Sequence, residues 1–76
     1  MTEGTLGVRV ELPGTVAAVA VTPGTAVAAG AELLRLDSMK MDIPVRAPQA
    51  GTVRRVLVGV GDRLQQGDLA VVLDLP

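Results

Sequence analysis

The chain has 76 residues, seven basic and eight acidic, for a net charge of −1. It contains no cysteine, histidine or aromatic residue, which excludes disulfides, thiolate metal sites, imidazole acid–base chemistry and aromatic platforms for nucleic-acid bases. What remains is one small domain with a core of Val, Leu, Ile, Ala and Met, burying only about 60% of its unfolded surface.

The amino terminus, Met1-Thr2-Glu3-Gly4, has neither a positive start nor an apolar stretch, so no secretory signal is expected. No apolar run approaches the roughly 20 residues of a membrane span. No basic run exceeds Arg54-Arg55, which argues against nucleic acid. These observations predict a cytoplasmic protein with neither membrane nor nucleic acid as a partner.

Past Val8, Gly14-Thr15-Val16 opens a strand. Val19 and Val21 alternate with Ala18 and Ala20, the period of a half-buried strand. Val16 is out of phase with Val19, which predicts a bulge or sharp coil near residues 17–18. Thr22-Pro23-Gly24 reads as a tight turn, and Gly30 as a turn requiring positive φ. Leu34 and Leu36 end a strand, Ile43 and Val45 begin the next, and residues 38–41 must reverse the chain as a hairpin. Pro44 cannot donate to a ladder, which predicts an edge or a bulge there. Gly51-Thr52-Val53 opens another strand, with the same slip between Val53 and Val56. Val60-Gly61-Asp62 and Gly67 repeat the turn signals. No segment keeps a helical period over three turns.

These elements recur at a fixed spacing. Gly14-Thr15-Val16 returns as Gly51-Thr52-Val53, 37 positions on. The same offset carries Val19 to Val56, Val21 to Val58, Gly24 to Gly61, Gly30 to Gly67, Leu36 to Leu73 and Asp37 to Asp74, with no gap. The chain is therefore two copies of one β unit, about residues 5–37 and 42–74, within a single domain spanning 1–76. Neither copy can bury its apolar face alone, so an all-β, quasi-twofold sandwich or flattened barrel is predicted. Residues 38–41 join the copies, at the opposite end from the termini.

Lys40 is the sole lysine among six arginines, and it lies in that joint. An amine can lose its proton and be acylated, whereas a guanidinium stays charged. Met39 and Met41 flank it. Two exposed apolar side chains on a hairpin tip favour recognition over a solvated turn. The tip also forgoes the usual Asn-Gly or Asp-Gly, a local cost consistent with function.

The segment Leu36-Asp37-Ser38-Met39-Lys40-Met41-Asp42-Ile43-Pro44-Val45 resembles the attachment hairpin of biotinyl domains. The Gly-Thr-Val repeats, Gly61-Asp62 and Gly67-Asp68 match that family's framework, and the likeness runs from about Val8 to Asp74. It is nearest to small stand-alone biotin carriers of the actinobacterial type. The resemblance implies a barrel-sandwich hybrid of two four-stranded antiparallel sheets without the thumb insertion of some members. It implies biotin joined covalently to Lys40 by a biotin protein ligase. Met39 and Met41 would serve partner recognition, with Asp37 and Ser38 as motif positions. Ser38 stands where alanine is commoner, and Asp37 and Asp42 where glutamates are usual. A free ε-amine, with a pKa near 10.4, is protonated at neutral pH, so the ligase must supply both deprotonation and the activated acyl group. The implied role is a non-catalytic, monomeric carrier between the biotin carboxylase and carboxyltransferase of a biotin-dependent carboxylase, whether its substrate is acetyl-CoA or another acyl-CoA, pyruvate or urea, on an arm reaching on the order of 12 Å. No metal site is expected. The alternatives are a lipoyl-type carrier, whose Asp-Lys-Ala tip Met39 and Met41 contradict, and an unmodified structural hybrid-barrel module.

Overall fold

The structure, a computed structural model, describes residues 4–39 and 41–76. Eight strands follow one another: β1 (Thr5–Arg9), β2 (Gly14–Val19), β3 (Ala26–Val27), β4 (Glu32–Ser38), β5 (Met41–Arg46), β6 (Gly51–Val56), β7 (Arg63–Leu64) and β8 (Leu69–Asp74). β6 and β7 begin and end 37 positions after β2 and β3.

The strands form two four-stranded antiparallel sheets, ordered β1-β8-β6-β3 and β5-β4-β2-β7. Advancing each strand of the first sheet to its counterpart in the other half generates the second sheet. Every sheet thus takes two strands from each half, and the halves interlock. The predicted bulges are present: pairing slips between Val16 and Ala18 in β2 and between Val53 and Arg55 in β6. β2 ends at Val19, so the valine alternation continues to the buried Val21 beyond the strand. Pro44 lies on β5, an edge strand, where a missing N–H is tolerable.

Four turns stand at equivalent places. The amides of Thr25, Ala31, Asp62 and Asp68 donate to the carbonyls of Thr22, Ala28, Gly59 and Gln65 at 3.0–3.1 Å. The third residue of each is a glycine, Gly24, Gly30, Gly61 and Gly67, with φ between 87° and 96°, the signature of a type II turn. These turns also tie the halves together. The Gly24 amide donates to the Val53 carbonyl at 2.7 Å, and the Gly61 amide to the Val16 carbonyl at 2.8 Å.

The core lies between the sheets. Leu33, Leu34, Leu36, Ala70, Val71 and Leu73, on the inner strands β4 and β8, are wholly buried, and among the described residues no polar side chain is. Consecutive burial of Leu33 and Leu34 breaks the two-residue period. A second pair of slips explains it, between Glu32 and Leu34 and, across from β8, between Val8 and Arg9.

Leu36 and Leu73 occupy equivalent core positions. We expect Leu36→Ala and Leu73→Ala each to cost about 2–5 kcal/mol, from a total of roughly 4–11 kcal/mol for a chain this size. Urea-denaturation midpoints measure the loss, and near-equal values would follow from the twofold.

Candidate functional site

β4 and β5 carry the candidate residues toward their connection. Leu36 pairs with Ile43, Asp37 with Asp42, and Ser38 with Met41. Leu36 anchors the inner face of this ladder in the core, while Asp37 and Asp42 stand on its solvent face. Because Ser38 and Met41 are direct partners, only Met39 and Lys40 remain to turn the chain, making a two-residue hairpin. Such turns need positive φ, and Met39 supplies it with φ 54°, the only described non-glycine residue to do so. An L-residue there costs about 1–2 kcal/mol. Met39 is 93% exposed and Met41 64%, so neither is core filler. Ser38 is half-buried. Lys40 lies outside the described residues.

β2 abuts the base of this hairpin. A Cβ on Gly14 would sit 3.0 Å from the Asp37 carbonyl oxygen and 3.3 Å from the Ser38 Cβ. Glycine therefore lets the strand lie close beneath the tip. Gly14 was legible only as part of the Gly-Thr-Val repeat. At the equivalent place in the other half, a Cβ on Gly51 would meet the Asp74 carbonyl oxygen at 2.6 Å.

The two ends of the sandwich are equivalent in backbone but not in charge. At the terminal end, the Leu75 amide donates to the Gly4 carbonyl at 2.8 Å. Asp74 there lies between Thr5 and Thr52 and pairs with Arg54, Nη1 to Oδ1 3.0 Å. At the hairpin end the counterpart of Asp74 is Asp37, lying between Asp42 and Thr15. Ala17 stands where the other half has Arg54, and Asp42 where it has Thr5. Among the described residues neither Asp37 nor Asp42 makes an ion pair. Two like charges opposed across a ladder destabilise it, so the facing of Asp37 and Asp42 is a pairing that folding does not favour. The offset alignment held the signal for this asymmetry, in its mismatches rather than its matches.

The candidate residues form a protrusion rather than a pocket. The groove between edge strands β1 and β5 is lined by Val8, Ile43, Pro44 and Val45 among others, and by none of Asp37, Ser38, Met39 or Met41. An exposed tip suits presentation of a group to other proteins, not enclosure of a substrate.

A family described as biotin-requiring enzyme matches residues 1–73. The chain is 47% identical over 66 residues to a Mycobacterium leprae protein called biotinylated protein TB7.3 homolog, covering 87% of this chain and 93% of that one. It is 44% identical over 75 residues to the human mitochondrial propionyl-CoA carboxylase alpha chain, covering 97% of this chain and 10% of that one. Among solved structures, a single-chain, multi-domain long-chain acyl-CoA carboxylase superposes with a TM-score of 0.86 at 39% identity, covering 95% of this chain and 7% of that one. The chain thus spans a tenth or less of these carboxylases but nearly all of the mycobacterial relative.

Two outcomes follow from the hairpin geometry. We expect Met39→Gly to raise stability by up to about 1 kcal/mol, through release of the left-handed strain, seen as a higher melting temperature. We expect Asp42→Thr, which copies the Thr5 environment, to stabilise by a few tenths of a kcal/mol at low salt. That gain should shrink as added salt screens the charges; a gain independent of salt would point to packing instead.

Proposed function

The chain belongs to the biotin/lipoyl attachment family, and on that ground we propose that it is a biotin carboxyl carrier domain whose attachment site is the ε-amine of Lys40. The observation that carries the reading is the hairpin of β4 and β5. It leaves two residues to turn the chain, and the methionines before and after Lys40 are both exposed. No other lysine occurs in the chain. The described neighbours fit a covalently held group, since Met39 and Met41 are both exposed and neither is committed to the core.

Each residue then has a distinct task. The Lys40 amine, once deprotonated by a biotin protein ligase, attacks the activated carboxyl carbon of biotinyl-adenylate. The amide bond forms as the acyl–phosphate bond breaks and adenylate leaves. Met39 and Met41 offer soft apolar surface for partners to grip. Asp37 and Asp42 give the tip a negative base that favours partners with basic rims. Gly14 seats β2 against the hairpin and so holds its base in place. Biotin, when bound, supplies the carrier chemistry, holding a carboxyl group between a biotin carboxylase and a carboxyltransferase. The domain itself acts as a non-catalytic carrier. The similarity to chains named as propionyl-CoA and pyruvate carboxylases supports an acyl-CoA or 2-oxo acid carboxylase as its setting.

Co-expression with a biotin protein ligase, followed by intact-mass measurement, tests the reading. We expect one biotinyl adduct on the wild-type chain and none on Lys40→Arg. An adduct that survives the substitution, or a lipoyl mass instead of a biotinyl one, overturns it.

A further inference from the structure

Sulfur enters this chain only through its three methionines, and tryptophan, tyrosine and histidine are absent as well. Peroxides react with thiolates and thioethers, so the oxidisable side chains here are Met1, Met39 and Met41. Met1 lies outside the described residues. Methionine is a ready filler of irregular cores, yet the buried cluster is built of Val, Leu and Ala without it. The two described methionines stand instead on the tip, 93% and 64% exposed, on either side of Lys40 in sequence. A soluble oxidant therefore reaches their sulfur atoms without any opening of the fold.

We propose that Met39 and Met41 are a peroxide-responsive modification site, and that their oxidation state sets whether a biotin protein ligase accepts the hairpin. The inference rests on the reading of Lys40 as the attachment site. In the reaction, a thioether sulfur lone pair attacks one oxygen of hydrogen peroxide and the O–O bond breaks. The sulfur keeps that oxygen, and its proton passes to the departing hydroxide to give water. Sulfur is oxidised by two electrons and the peroxide reduced by two. A methionine sulfoxide reductase reverses the change, with two thiols becoming a disulfide and the oxygen leaving as water. The sulfoxide replaces a soft apolar thioether with a strongly polar group. A partner that must enclose the tip to reach Lys40 then loses apolar contact on both sides of the amine.

The test uses the unbiotinylated full chain, so that the sulfur of biotin is not itself oxidised. Hydrogen peroxide treatment should add one oxygen each at Met39 and Met41 by peptide mapping, with the urea midpoint unchanged. Ligase-catalysed biotinylation of the treated chain should slow about tenfold or more, equivalent to about 1.4 kcal/mol. Methionine sulfoxide reductases acting on both epimers should restore the rate. The Met39→Leu/Met41→Leu double variant retains Met1, and its rate should be the same before and after peroxide. Equal rates for oxidised and reduced wild type overturn the inference, as does equal slowing of the leucine variant. Reduced wild type that is never biotinylated overturns the attachment reading, and this inference with it, before peroxide is added.

Discussion

The apolar layer between the two sheets is contributed by two half-chains that cannot bury it separately. Leu33, Leu34 and Leu36 from one half meet Ala70, Val71 and Leu73 from the other. With no disulfide and no aromatic side chain, this aliphatic layer supplies most of the driving force for folding. It also dictates the topology. Each inner strand is flanked by strands of both halves, so neither half can leave without opening both sheets. The turns bind across the same divide, as in the reciprocal bonds of Gly24 to Val53 and Gly61 to Val16.

Twofold construction gives the molecule two backbone-equivalent ends, and function separates them. One end holds the described chain ends, where Arg54 neutralises Asp74. The other holds a continuous hairpin, where Ala17 replaces the arginine, Asp42 faces Asp37 and Met39 takes a left-handed backbone. Each of these departures disfavours folding slightly, by strain or like-charge opposition. They gather at one place, and a rigid core tolerates them there. This is the pattern expected when a small, regular scaffold presents a recognition element.

Much of this was legible along the chain. The slip between Val16 and Val19 marked a bulge, and its recurrence between Val53 and Val56 marked the symmetry. Gly30 and Gly67 announced positive φ because turn chemistry is local. Pro44 announced an edge strand for the same reason. The opposition of Asp37 and Asp42 follows directly from a hairpin that reverses at residues 38–41; the pairing of Arg54 with Asp74 and the approach of Gly14 to Ser38 were not legible. The latter two depend on which residues of distant strands fall opposite one another. The slips at Leu33 and Ala70 were hidden too, because two adjacent apolar residues fit several registers equally well.

The sequence by itself determined the all-β class, the duplicated unit, the turns and the lone lysine between two methionines. These follow from local backbone preference and from the spacing of apolar residues, which any reader of the chain can count. Only the tertiary structure decided that the halves interlock and that Arg54 meets Asp74 at the terminal end. Those facts depend on strand register, and register is chosen by the packing of the whole aliphatic layer, which no short segment specifies.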